Sequence, residues 1–145
     1  MNTKTILLVE DNPQDEKLSL RALRKVNLAN QVDVVRDGQQ ALDYLFREGE
    51  FAGRGGAALP TVVLLDINLP RVSGLEVLAR VRADPRTHLL PVVILTSSDE
   101  DRDRMGSYEH GANSFVRKPL EFAEFAETVA RLGVYWLATN EPSHT

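Results

Sequence analysis

The sequence predicts an open α/β fold in which a five-stranded parallel sheet is wound on both faces by helices. Three observations carry this reading. Short apolar runs of strand length recur along the chain, helical patterns fill the intervals, and the two alternate in regular order. Continuous β-branched runs bounded by Pro or polar residues suit strands buried on both faces, the habit of parallel sheets covered by helices.

The first run is Ile6-Leu7-Leu8-Val9. Asn12-Pro13 then places a capping residue before Pro at the first helical position, and Leu18, Leu20, Ala22, Leu23 and Val26 follow at mixed three- and four-residue spacing. The second strand, Val32-Asp33-Val34-Val35, alternates at its start, and Ala41, Leu42 and Leu45 mark a helix over Gln39 to Phe46. Arg47 to Leu59, with Gly49, Gly53, Gly55 and Gly56, reads as a long surface loop. It does not cradle phosphate, because no Gly-Lys-Ser/Thr follows and the loop runs into a strand rather than opening a helix. Val62-Val63-Leu64-Leu65 is the third strand, and Ser73 to Ala83 is a helix carrying Leu75, Val77, Leu78 and Val81. Val92-Val93-Ile94-Leu95 is the fourth strand, Asp99 to His110 a polar helix poor in apolar residues, and Ser114-Phe115-Val116 a weaker fifth strand. From Leu120 onward, Phe122, Phe125, Val129, Leu132 and Trp136 fall on one stripe of a long helix. Five repeats of strand then helix give a doubly wound sheet of the flavodoxin-like (βα)5 type.

The 145 residues amount to one domain, 1–145, with 43% hydrophobic and 26% charged residues. Without cysteine there is no disulfide framework, Cys-ligated zinc site or thiol nucleophile. The net charge of -4 and the scattering of the 17 Lys and Arg argue against nucleic-acid binding. Met1-Asn2-Thr3-Lys4-Thr5 and four apolar residues are too short for a signal-peptide core, and no window approaches the roughly eighteen apolar residues of a spanning helix. A cytoplasmic protein without membrane contact is expected. His88, His110 and His144 are isolated in sequence and read as surface residues.

In open parallel sheets, ligands bind outside the carboxyl ends of the strands. Glu10 and Asp11 follow the first strand, Asp66 the third and Thr96 the fourth, while Lys118-Pro119 follows the fifth. Taken singly, such residues serve as helix caps or solvated turns. Together they would set three carboxylates, a hydroxyl and an ammonium on one rim. Clustered carboxylates repel, and a divalent cation relieves them; an oxygen-only ligand set points to a hard ion, magnesium before zinc. A metal beside a lysine suits a phosphoryl group, and a carboxylate held at the end of an apolar strand can attack phosphorus to form an acyl phosphate. In that arrangement Asp11 and Asp66 hold magnesium, with Glu10 acting through water, and Lys118 and Thr96 meet the phosphoryl oxygens.

Val9-Glu10-Asp11-Asn12, Leu65-Asp66-Ile67-Asn68-Leu69-Pro70 with Gly74, Leu95-Thr96-Ser97-Ser98, Gly111-Ala112 and Lys118-Pro119 resemble the signature set of response-regulator receiver domains of two-component signalling. Thr96 follows Asp66 by 30 residues and Lys118 follows it by 52, a spacing also similar to that family. The likeness spans a core of about residues 5–132. The glycine-bearing insertion at 47–59 and the extension at 133–145, with Tyr135-Trp136-Leu137, are similar to single-domain regulators that partner phytochrome-type histidine kinases.

The resemblance implies that Asp66 is the phosphoacceptor, Glu10 and Asp11 the acidic pair, and the Asn68 backbone carbonyl a further magnesium ligand. It makes Thr96 the switch hydroxyl, Lys118 the phosphate-binding lysine and Phe115 the aromatic switch, with a cis peptide before Pro119. A bacteriophytochrome-type histidine kinase would donate to Asp66, and movement of Thr96 would vacate space for Phe115, changing the surface of the fourth helix, fifth strand and fifth helix. The protein is then a phosphoacceptor rather than an enzyme, beyond its own phosphorylation and dephosphorylation. Two rivals stand: a degenerate receiver used as a docking module, and an aspartate-nucleophile phosphatase. The phosphatases resemble Asp-x-Asp, and the second place here is Asn68, which cannot protonate a leaving group. The apolar stripe ending in Tyr135, Trp136 and Leu137 either folds back on its own core or pairs with a second copy through the fifth helix and tail. The 26 residues after Pro119 leave no room for a helix-turn-helix domain, so no nucleic-acid partner is expected.

Overall fold

A computed structural model describes residues 5–26, 31–53, 59–96, 114–118, 121, 123, 124 and 127. The described elements are β1 (Thr5–Val9), α1 (Pro13–Val26), β2 (Gln31–Val35), α2 (Gly38–Phe46), a 3-10 turn (Gly49–Phe51), β3 (Val62–Asp66), α3 (Gly74–Ala83), β4 (Val92–Thr96) and β5 (Ser114–Arg117). The five strands form one parallel sheet of order β2-β1-β3-β4-β5. The predicted helix over Asp99 to His110 and the tail 133–145 lie outside the described residues, and of the predicted helix from Leu120 onward only residues 121, 123, 124 and 127 are described, of which 123, 124 and 127 are helical.

The apolar runs form strands because both faces of the sheet are covered. On one face Leu7, Val9, Val63, Leu65 and Ile94 pack with Ala41, Leu42 and Leu45 of α2 and Val77, Leu78 and Val81 of α3. On the other, Ile6, Leu8, Leu64, Val93, Leu95 and Val116 pack with Ala22 and Leu23 of α1. Alternate residues of each strand therefore serve opposite cores, so no position in the middle of β1, β3 or β4 tolerates a polar side chain. At the sheet edge β2 keeps Gln31 exposed and Asp33 half-buried, which is why its sequence alternates.

The boundaries follow the caps. Asn12 Oδ1 accepts from the Gln14 and Asp15 N–H groups at the start of α1, and Asp37 accepts from the Gln40 N–H at the start of α2. Ser73 Oγ accepts from the Glu76 N–H, so Ser73 caps α3 rather than belonging to it. The segment expected to be loop from Arg47 onward begins as ordered structure. Arg47 takes the left-handed conformation (φ 58°) and closes α2 by donating its N–H to the Asp43 carbonyl. The 3-10 turn then brings Phe51 edge-on to Tyr44, ring centroids 5.3 Å apart. An aromatic contact across a helix end leaves no periodicity, which is why the sequence did not reveal it.

Candidate functional site

The register delivers the strand ends to one edge. Asp66 ends β3 beside Leu95 of β4, Thr96 ends β4 beside Arg117 of β5, and Glu10 directly follows β1. The order β2-β1-β3 reverses direction at β1, so the crevice over β1 and β3 is the switch point where doubly wound sheets hold ligands. Glu10, Asp11, Asp66, Thr96 and Lys118 all lie on this rim.

Glu10 and Asp11 are neighbours in sequence with opposite environments. Glu10 is fully buried, while Asp11 is exposed. Glu10 Oε2 accepts from the Asn12 N–H at 3.2 Å, and its own N–H donates to the Val35 carbonyl at 3.0 Å. Asp66 is buried, and its Oδ1 accepts from the Asn68 N–H at 3.1 Å, which fixes the turn leaving β3. Gly74 seats that turn. A Cβ on Gly74 would lie 2.3 Å from the Asp66 carbonyl oxygen and 2.8 Å from the Ile67 Cα, both backbone atoms that cannot swing aside. Gly74→Ala is expected to cost about 1–3 kcal/mol, the range of overpacking in a tight site, read as a lower denaturant midpoint; an unchanged midpoint would show that the turn yields freely.

Thr96 is buried, and its carbonyl accepts from the Lys118 N–H at 2.7 Å, tying the lysine's backbone to the end of β4. Lys118 Nζ then reaches back over the sheet. It lies 2.8 Å from Asp15 Oδ2, 3.1 Å from Glu10 Oε1 and 3.2 Å from Asp66 Oδ2. Burial works against the Lys118 charge, but the bond to Asp15 and the charges of Asp66 and Glu10 outweigh it and hold the ammonium above the ordinary lysine range. Glu10 shows the complementary strain. Burial, with the nearby Asp66 charge, pushes its carboxyl up to about 7 despite the opposing pull of Lys118.

Carboxylate oxygens of Glu10, Asp11 and Asp66 lie within 4.8 Å of one another. The set is oxygen only, two of the three residues are buried, and one of them, Glu10, is driven toward protonation by burial and by the Asp66 charge. That chemistry fits a hard divalent cation. Asn68 is exposed at the same rim. Phe115 sits on β5 at the register position of Ile94; its side chain, and the peptide bond to Pro119, lie outside the described residues. Asp15 is the site residue that sequence reasoning missed. Its signal was available, since it is an acid in the first turn of α1, the helix that leaves the strand end carrying Glu10 and Asp11. His88 is exposed, as expected. None of the described helices is long and apolar enough to cross a membrane.

Fold and site together define a doubly wound α/β domain that presents a buried strand-end carboxylate to a lysine and an acidic pair. The chain belongs to the response regulator receiver domain family, whose profile matches residues 6–130. It is 42% identical over 136 residues to the probable methanogenesis regulatory protein FilR2 of Methanothrix harundinacea, covering 93% of this chain and 84% of that one. Among solved structures it is similar to the bacteriophytochrome response regulator RtBRR, with 52% identity, a TM-score of 0.88, and 98% of this chain and 84% of that chain covered. It is also similar to the phosphorylated cyanobacterial phytochrome response regulator RcpA, with 38% identity, TM-score 0.74, and 97% and 99% covered. The Mn(2+)-bound form of Rcp1 matches at 33% identity and TM-score 0.73, with 95% and 97% covered.

Proposed function

We propose that this receiver accepts a phosphoryl group on Asp66 from the phosphohistidine of a histidine kinase, one of the bacteriophytochrome type. One observation carries the reading: the Asp66 carboxylate ends the central strand of the switch point, buried, with Lys118 Nζ 3.2 Å from its Oδ2. In the transfer, an Asp66 oxygen attacks phosphorus, the phosphorus–nitrogen bond breaks with its electron pair returning to the imidazole, and an acyl phosphate remains. Loose phosphoryl-transfer transition states need positioning and charge neutralisation above all. Lys118 supplies a cation on one phosphoryl oxygen and the Thr96 hydroxyl donates to another. A magnesium ion held by Asp11, Asp66 and the Asn68 main-chain carbonyl, with Glu10 behind them, would offset further charge on the transferring group. The likeness to a phosphorylated RcpA and to a Mn(2+)-bound Rcp1 supports both parts of this reading.

Residues 5–132 form the receiver unit in this reading, with 47–59 an insertion and 133–145 an extension through which two copies associate in the cytoplasm. Thr96, Phe115 and a cis peptide before Pro119 form the switch. The test is a phosphotransfer assay with magnesium, using a purified bacteriophytochrome kinase and, separately, a small acyl phosphate. Wild-type protein takes up one labile phosphoryl group and Asp66→Asn takes up none. Uptake by Asp66→Asn would sink the assignment, and sustained turnover of a phosphomonoester would point to a phosphatase instead.

A further inference from the structure

Three carboxylates share the Lys118 ammonium, and the shortest of the three contacts, 2.8 Å, belongs to Asp15, a residue outside the acidic trio. Asp15 is also the most exposed of the three partners: its side chain keeps 29% of its surface in water, against 0% for Glu10 and 5% for Asp66. Its backbone is pinned, because its N–H donates to the capping Asn12 Oδ1 at 3.0 Å.

We infer that Asp15 is a positioning residue of the phosphoryl site, whose carboxylate holds the Lys118 ammonium and must release it when a phosphoryl group arrives on Asp66. The inference rests on Asp66 being the phosphoacceptor and adds a counter-charge that regulates it. The three carboxylates would lose the ammonium at unequal cost. Taking it from Glu10 would leave a buried carboxylate without its cation, and Asp66 itself becomes the acyl phosphate, whereas Asp15 regains water on release. Asp15 is therefore the partner that yields. Until it does, it competes with the phosphoryl oxygens for the same three N–H donors and adds a negative charge beside an incoming dianion.

Removing the carboxylate should accordingly help the reaction. Glu10 and Asp66 still hold Lys118 at 3.1 and 3.2 Å, so the lysine keeps its place without Asp15. The experiment compares wild type, Asp15→Asn and Glu16→Gln. Glu16 lies in the same first turn of α1, but its carboxylate pairs with Arg36 at 3.0 Å, so its loss removes the same charge from the helix start without touching Lys118. Two quantities are read: the initial rate of acyl phosphate formation from acetyl phosphate with magnesium, and, without metal, the side-chain ammonium resonance of Lys118 in nitrogen-15-labelled protein. Asp15→Asn is expected to raise the rate several-fold and to shift or broaden the ammonium resonance, while Glu16→Gln leaves both at wild-type values. Equal behaviour of the two variants, or slower uptake by Asp15→Asn, overturns this inference alone, provided that wild type is phosphorylated. A wild-type chain that takes up no phosphoryl group overturns the phosphoacceptor reading and this inference with it.

Discussion

Lys118→Met is expected to destabilise the metal-free protein by about 3 kcal/mol near pH 8 and to slow phosphoryl uptake by about a hundredfold or more. Methionine keeps most of the length and apolar stem of the lysine, so the packing survives and the charge is what goes. Glu10, Asp15 and Asp66 lose the cation that lies 2.8 to 3.2 Å from each of them, and Glu10 and Asp66 are buried. Breaking a buried ion pair by removing one partner leaves an uncompensated charge, which costs more than the pair contributed. The penalty should shrink toward pH 5, where Glu10 takes up a proton and so removes one of the orphaned charges. Urea denaturation at pH 5 and pH 8 measures both values. A Lys118→Met protein as stable as wild type at pH 8 would mean that the carboxylates relax apart once the ammonium is gone.

The stability of the metal-free wild type is expected to fall as pH rises from about 5 to 8, and magnesium to reverse the fall. The folded Glu10 carboxyl titrates at about 7 against an ordinary value of 4.5, so between these pH values the folded chain binds a proton that the unfolded chain has lost. Stability then decreases with pH through this window by up to roughly 3 kcal/mol, since each tenfold difference in proton affinity between the folded and unfolded chain is worth about 1.4 kcal/mol. A dication among Glu10, Asp11 and Asp66 favours the ionised form and displaces the proton. Magnesium should therefore raise the melting temperature little near pH 5 and several degrees near pH 8. Calorimetric titration in buffers of different ionisation enthalpy should show proton release on magnesium binding near pH 7. An equal magnesium effect at both pH values, with no proton released, would separate the Glu10 carboxyl from the metal site.

Strand runs were legible because a strand buried on both faces can hold only apolar residues, and Ile6 to Val9, Val62 to Leu65 and Val92 to Leu95 do so without a break. The cap at Asn12 also acts locally, within three residues, so the start of α1 could be placed from the sequence, whereas Asp37 and Ser73 emerged as caps only in the structure. The end of α2 at Phe46 was legible, but not the left-handed Arg47 that closes it, because a left-handed arginine carries no compositional sign. Neither did Gly38 announce its role: its N–H donates to the Pro70 carbonyl at 3.3 Å, and a Cβ there would strike the Val72 carbonyl, docking the turn after β3 onto α2.

Residue types and spacing along the chain were enough to settle the parallel α/β class, the five strands to within a residue at their ends, and the receiver family. All three depend on local periodicity and on short motifs, which chain order preserves. The charge balance of the site was decided in three dimensions. Burial separates Glu10 from its neighbour Asp11, and Lys118, 108 residues from Glu10 in the chain, comes to rest on Glu10, Asp15 and Asp66. Desolvation and ion pairing depend on distances across the sheet, and only packing the two cores against it fixes those distances.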